Sequence, residues 1–556
     1  MNDANRFNEF FRQVGLLSLS VILYTGLCIA CSEKKESFPK TITGTFNIPA
    51  TDETSLLGEC EILVKLSDGD LISSANQRYK GMYEKSGEKH NILFEDNNGM
   101  LDLHFSYQLL DSLSLRAELT ISNTSDSSLN IESITILKGT IDKNEDNRET
   151  QVLVTSEDWQ DEQITYTLSD GLTSIKSQFT IASDNPSLAG GFLAGKKHFN
   201  SFSIKDTLDR IDLKAWGEAN GAELLASTSR QMDPLFLSFK DNSLKEMERF
   251  ADLAAIENDV KLWLENKAVW CTWYAGWNRE KMYSYKDGIA EGIEENLPLV
   301  KNLFADRGAR TMRICDDHIA YGDWDDVTRA FPEGLSRSAE MIREAGLIPG
   351  VWYPAYWAST GSKIFEKHPE WFAMEEDGTP YMLRDEGQNR SRLEQPYKFS
   401  IFDTSVPEVQ HYFENTARIW KERGFRYVTN DFLAFATAPD HYHDPTFSKA
   451  EVLRAGMEAV KRGLGDDVFY RTIGAQFGTC MGLSHDVRIS GDSHGDKPFA
   501  YHRTGAAWFY NHRTWINDPS AIVFMRYGEF RDVEWNKMWV SWIALAGTVM
   551  TYGEQL

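Results

Sequence analysis

Basic residues are scarce in this sequence. Against 83 Asp and Glu stand 58 Lys and Arg, giving a net charge of −25 at pH 7 and an isoelectric point near 5.0. Such a surface repels a phosphate backbone, and nucleic acid is not expected among its partners. Cysteine is scarcer still, with six in 556 residues. Two lie near the amino terminus, and Cys60, Cys271, Cys315 and Cys480 are far apart without any C-x-x-C pair. That spacing excludes a zinc ribbon and argues against a disulfide framework. With 16 prolines and 39 glycines the chain is not collagenous. Apolar residues, by contrast, make up 42%, and 16 Trp, 21 Tyr and 31 Phe rule out a disordered chain. Many Trp and Tyr in an acidic protein suit carbohydrate recognition, where flat sugar faces lie on rings, and equally suit a crowded core.

The first 31 residues read as an address. Arg6 and Arg12 precede the apolar run Val14 to Ala30, too short and wrongly flanked for a membrane helix. Leu27-Cys-Ile-Ala-Cys31 followed by Ser32 resembles a bacterial lipoprotein signal, which would make Cys31 the lipidated first residue. Plain secretion and an uncleaved anchor are the alternatives. A membrane is thus expected as a partner only through a lipid anchor. At about 150 residues per domain the length predicts three or four domains, although one α/β barrel absorbs about 250.

From residue 41 to about 240 the hydrophobic pattern has period two, as in Leu101-Asp-Leu103-His-Phe105 and Leu113-Ser-Leu115-Arg-Ala117-Glu-Leu119. Alternation of this kind predicts strands with one wet face, here the hairpins of an antiparallel β-sandwich. Gly190-x4-Gly195-Lys196 approaches a phosphate loop, but Lys197 stands where a hydroxyl should hold magnesium, so no nucleotide is expected.

A linking helix is predicted over 241–266, after which short apolar runs alternate with helices. Eight runs, beginning at Val269, Ala309, Leu347, Arg426, Val468, Val487, Ala521 and Val549, predict a (β/α)8 TIM barrel over 267–556. Helices between them are marked by Ile293, Leu297, Val300 and Phe304 at helical spacing and by a capping box at Ser448-x-x-Glu451, with Gly346, Gly424 and Gly463 as stops. Chemistry in such a barrel belongs at the C-terminal ends of the strands, where Asp316, Asp317, Asp431, Asp492, Asp518 and Glu554 stand. An isolated Asp there more often caps a helix, but a cluster of them suits glycoside hydrolysis, which needs two carboxylates across one bond. Asp323, Asp325 and Asp326 read as solvated loop charges, and His441-Tyr-His-Asp444 as a polar loop rather than a metal site. No metal or other cofactor is expected.

Several motifs, taken in order, resemble the retaining α-galactosidase clan. They are Trp270-Cys-Thr-Trp-Tyr-Ala-Gly-Trp277, Asp316-Asp317 with Gly322-Asp-Trp324, Pro349-Gly-Val-Trp352, Tyr427-Val-Thr-Asn-Asp431-Phe432 and Arg488-x-Ser-x-Asp492. Cys480-Met481 ahead of the last makes the sequence similar to family 36 glycoside hydrolases, relatives of family 27, and to raffinose-synthase-like proteins. The resemblance implies Asp431 as nucleophile and Asp492 as acid/base. It implies that Asp316, Asp317, Trp352, Cys480, Arg488 and Trp273 line the sugar site, with an oligosaccharide or glycan as substrate. A retaining pair would sit about 5 to 5.5 Å apart.

Two departures from the resemblance stand out. Those proteins carry Lys where this sequence has Thr429, a shorter donor. Losing one charge-assisted bond would lower kcat/KM on a simple α-galactoside roughly ten- to a hundredfold unless another cation, Arg384 or Lys398, fills the gap. On that reading Thr429→Lys would gain activity. The sequence also ends at Leu556, soon after the eighth run, whereas the resemblance implies a further helix and an all-β domain, so one apolar face of the barrel is expected to be exposed. Hydrolysis, transglycosylation and catalytically weak glycan binding all remain open from sequence.

Overall fold

The computed structural model describes residues 40–49, 55–143, 150–155, 165–168, 174–207, 210–263, 268–272, 289–315, 320–324, 331, 333–383, 398–492, 498–526, 529–530 and 532–552. Cys31, Trp273, Asp316, Asp317, Arg384 and Glu554 lie outside them.

Between Lys40 and Ser238 the described chain is entirely strands and turns, arranged in two antiparallel sheets. Strands Leu101–Asp111 and Ser114–Asn123 pair with Phe105 opposite Leu119 and Leu103 opposite Ile121, all four side chains buried. The period-two pattern therefore delivers one apolar face per strand to a common core. The segment resembling a phosphate loop is a strand end. The amides of Lys196, Lys197 and His198 donate to the buried carboxylate of Asp233 at 2.9, 3.2 and 3.2 Å, so an internal anion already occupies the amide cluster.

The helix that follows runs Ser243–Glu257, capped by the Asn242 side chain, and ends before the predicted 266. Its Phe250 is fully buried and packs against Phe179 and Phe236 of the sheets and against Phe509 and Tyr510 further along the chain. Gly191 makes room for that ring, since a Cβ there would lie 2.3 Å from Phe250. One aromatic side chain thus ties the amino-terminal sheets to the rest of the fold.

The second half builds a curled, wholly parallel sheet. Its strands are β1 (Ala268–Cys271), β2 (Thr311–Ile314), β3 (Ile348–Tyr353), β4 (Tyr427–Asn430), β5 (Phe469–Thr472), β6 (Asp486–Arg488), β7 in two pieces (Ile516–Asp518 and Ala521–Ile522) and β8 (Met550–Tyr552). From Ile516–Asp518 the neighbours run β6, β5, β4, β3, β2, β1 and β8 to Ala521–Ile522. The seventh run therefore starts five residues earlier than its apolar stretch suggested. Pro519 has no amide hydrogen and Ser520 sits at φ 108, so the strand breaks between a piece pairing with β6 and a piece pairing with β8.

Helices Ile289–Phe304, Leu335–Glu344, Pro407–Glu422 and Lys449–Leu464 lie in the connections, the last with the expected capping box at Ser448 and Glu451. Gly463 is not a stop. The helix continues to Leu464 and is capped by Gly465, while Gly463 allows close approach to Pro407–Glu422, where a Cβ would lie 2.2 Å from the Glu414 carbonyl oxygen. Beside β8, Leu299, Leu303, Met538 and Leu545 are solvent-exposed on helices Ile289–Phe304 and Val533–Ala546.

Candidate active site

Inward-facing positions of a parallel barrel-like sheet are usually filled by branched apolar side chains. Here the middle of the sheet is polar. Arg313 on β2 is buried, donating to Thr429 Oγ1 on β4 at 3.2 Å and to Cys271 Sγ on β1 at 3.1 Å. Gly350 on β3 lies between their strands, and a Cβ there would press on Arg313 and Tyr427 at 3.2 and 3.3 Å. Arg471 on β5 is completely buried and donates to Thr551 Oγ1 at 3.1 Å and to the Asp518 carboxylate. Asp518 also accepts from Arg488 Nε at 2.6 Å. Asp486 lies 3.8 Å from Arg471 Nε, beyond hydrogen-bond reach. Burial therefore outweighs the attraction of Arg471, Arg488 and Arg313 and pushes its carboxyl up to about 6.

Above this layer stands Asp431, immediately after β4. Its amide donates to the Tyr353 carbonyl at 3.1 Å, continuing the β3–β4 pairing by one residue. Its carboxylate accepts from Trp352 Nε1 at 2.7 Å and from the Phe432 amide at 2.6 Å. The second bond depends on Phe432 adopting left-handed backbone (φ 57, ψ 30), a costly conformation for an aromatic residue. Phe432 is held there by stacking on Trp357, centroids 4.5 Å apart and planes 12° apart, and by an edge contact with Trp352 at 5.9 Å. Burial raises the Asp431 carboxyl above the ordinary carboxylate range and the charge of Asp492 adds to this, while Trp352, the Phe432 amide and Arg488 pull it down.

Asp492 follows β6 and is largely exposed, with Arg488 Nη1 donating to its Oδ1 at 2.8 Å. Arg488 thus stands between the exposed Asp492 and the buried Asp518. The carboxylate–guanidinium ladder Asp492–Arg488–Asp518–Arg471 crosses from the rim of the sheet into its interior.

The structure brings Asp431, Trp352, Arg488 and Asp492 to one end of the sheet, with Thr429 one layer below. Cys480 is buried, with Thr472 Oγ1 at the end of β5 and the Gln476 carbonyl oxygen each 3.5 Å from its sulfur, and burial pushes its thiol up to about 11. Lys398 is exposed, and the cation that meets Thr429 is Arg313. Asp323 is not a solvated charge, since its carboxylate accepts from the amides of Lys363 and Ile364 at 2.8 and 3.0 Å and anchors the start of helix Lys363–Lys367. His443 pairs with Asp403 at 2.8 Å, and among the described residues no cluster of His, Cys, Asp or Glu is placed to hold a metal ion. Arg313, Arg471 and Asp486 were not singled out from sequence. The available signal was an arginine in mid-run between apolar residues, at Arg313 and at Arg471.

The Melibiase family model matches residues 263–458, which contain β1 to β4 and Asp431. That stretch carries the match to the α-galactosidase clan. The chain is 30% identical over 125 residues to α-galactosidase AgaA of Geobacillus stearothermophilus, 22% of this chain and 16% of that protein. It is 26% identical over 117 residues, 21% of this chain and 14% of the other, to α-galactosidase 1 of Pediococcus pentosaceus. The aligned stretches thus span under a fifth of these curated relatives. Similarity of fold extends further. The α-galactosidase TtGalA of Thermus thermophilus, solved with stachyose, superposes with a TM-score of 0.55 at 17% identity over 81% of this chain and 93% of that one. The G. stearothermophilus AgaA structure with 1-deoxygalactonojirimycin gives 0.62 at 14% identity over 92% and 74%.

Proposed function

We propose that this protein is a retaining α-glycosidase that hydrolyses terminal α-galactosides by double displacement. The observation that carries the reading is a half-buried carboxylate, Asp431, at the C-terminal end of β4, oriented by an indole and a strained amide, with a second carboxylate reached through Arg488. Asp431 would attack the anomeric carbon and form a glycosyl-enzyme, its two donors fixing which oxygen lone pair faces the sugar. Asp492 would protonate the leaving oxygen and then take a proton from the attacking water. Trp352, Arg488, Thr429, Trp273, Asp316, Asp317 and Cys480 are proposed to shape the sugar site, Thr429 from beneath Asp431 and Cys480 from beside Thr472. Stachyose and raffinose bound to the relatives' structures support an α-galactoside as the substrate class.

The parallel sheet is proposed to close as a full (β/α)8 barrel, a reading supported by the ends of its strand path being two pieces of β7 separated only by Pro519 and Ser520. Residues 41–240 would form the β-sandwich domain, 241–266 the link and 267–556 the barrel. Residues 1–31 would direct export, with Cys31 lipidated on a bacterial membrane. Cys31→Ser should then move the protein to the soluble fraction, and unchanged partitioning would favour an uncleaved anchor.

The central experiment incubates the protein with a panel of aryl α-glycosides and follows the first-formed sugar by proton NMR. Release of α-galactose first is the expected outcome. Initial appearance of the β anomer would overturn double displacement, and cleavage of no α-glycoside would overturn the function.

A further inference from the structure

Behind β3, on the side away from Asp431, lies a cavity of about 250 Å³. Successive residues of a strand face opposite ways, so Trp352 turns towards Asp431 while Tyr353 turns outward to the helices. The outward ring is edge-on to Trp324 at 5.3 Å and to Trp420 of helix Pro407–Glu422 at 6.0 Å. Those two indoles wall the cavity together with Ile364, Thr416 and Ile419. Both Trp324 and Trp420 are buried, so the space has a fixed aromatic floor.

Its wall is short of acceptors. Asp323 supplies the one carboxylate among the described lining residues, and both of its oxygens are engaged by the amides of Lys363 and Ile364. What the wall offers instead is N–H. Trp420 Nε1 is buried and has no hydrogen-bond partner among the described residues, a costly state for an indole donor. Lys367 lines the cavity and is exposed, the arrangement in which a lysine lays its stem on apolar surface and keeps its ammonium in water. A sugar, whose hydroxyls need acceptors as well as donors, matches this wall poorly. An oxygen acid with a flat apolar body matches it. An apolar cavity of about 150 Å³ holds benzene, so this larger one has room for a ring and a carboxylate arm.

We propose that this cavity binds a small aromatic carboxylate. Its ring lies against the indoles of Trp324 and Trp420, and its carboxylate accepts from Trp420 Nε1 and faces the ammonium of Lys367. A net charge of −25 disfavours adventitious binding of anions, so an anion retained here is retained by this local chemistry. The occupant also reaches the strand that supports the candidate nucleophile. It rests on the two rings that flank Tyr353, whose carbonyl accepts the Asp431 amide at 3.1 Å. Binding itself requires neither Asp431 nor Asp492 to be catalytic.

Titration of the full chain with p-fluorobenzoate, followed by fluorine NMR line broadening, tests the proposal without any turnover. Binding in the millimolar range or tighter is expected. The same ring without the charge, p-fluorobenzyl alcohol, should bind roughly tenfold more weakly. Ile419→Trp, at a half-exposed lining residue, fills the space and should remove the broadening. Lys367→Glu reverses the charge at an exposed position and should weaken binding by roughly fivefold. Because Lys367 is on the surface, this second variant keeps the test decisive should Ile419→Trp fail to fold. No broadening with the parent, equal affinity for the alcohol, or unchanged affinity in Lys367→Glu would overturn the proposal, as would broadening that persists in a folded Ile419→Trp.

Discussion

The indole of Trp352 donates a 2.7 Å hydrogen bond to Oδ2 of Asp431, joining the ends of neighbouring strands β3 and β4. Lining the sugar site was the role implied for Trp352 by resemblance, and this bond adds a second one. It stabilises the ionised carboxylate against the burial that raises its pKa. Trp352→Phe keeps an aromatic face and removes the donor. We expect kcat to fall roughly ten- to a hundredfold, the range of one charge-assisted bond, and the acid limb of the pH–rate profile to move to higher pH. A profile that keeps its position while only KM rises would leave Trp352 as a wall of the sugar site alone.

Asp431→Gly should abolish turnover, and added azide should restore part of it with inverted β-galactosyl azide as product, because the small anion enters the space of the missing carboxylate. Asp492→Ala should lose far less on aryl galactosides with good leaving groups than on poor ones. A near-parental rate in the first variant, or equal losses across leaving groups in the second, would remove the corresponding role.

Arg313 changes what is expected of Thr429. Read from sequence alone, Thr429→Lys fills a gap. In the fold it places an ammonium against a buried guanidinium that already reaches Thr429 Oγ1 at 3.2 Å. Two such charges about 4 Å apart repel by about 4 kcal/mol even at an effective dielectric of 20. Thr429→Lys alone should therefore lower both the melting temperature and kcat/KM, whereas Thr429→Lys with Arg313→Leu should recover much of each. Melting curves and kinetics for the four proteins of the cycle give the coupling, and additive effects would show that the residues act independently.

Asp486 should leave a mark on stability. Its folded carboxyl titrates near 6 and an unfolded Asp near 4, so between these values the folded state keeps a proton that the unfolded chain has lost. Its contribution is therefore constant below about pH 4 and declines as pH rises towards 6, by an amount on the order of 1–3 kcal/mol. Urea unfolding at pH 4.5 and 6.5 should show this decline in the parent and a flatter dependence in Asp486→Asn. The same slope in both proteins would place the titration elsewhere.

The sequence by itself determined the order of the parts, because local periodicity is a property of neighbours along the chain. Alternating Leu103, Phe105 and Leu119 could only be strands with one buried face, and the capping box at Ser448 and Glu451 marked its helix start to the residue. It also placed Asp431 and Asp492 at strand ends, since the apolar runs stop just before them. What it could not supply is which side chains meet across strands far apart in sequence. Arg313 and Thr429 are 116 residues apart and meet across β3, where Gly350 presents no side chain to crowd Arg313. Arg471, Arg488 and Asp518 form a charged interior because three separate strands converge, and an arginine in an apolar run carries no local sign of its partner. The break at Pro519 and Ser520 and the backbone strain at Phe432 likewise arise only where packing fixes what local preference would not choose.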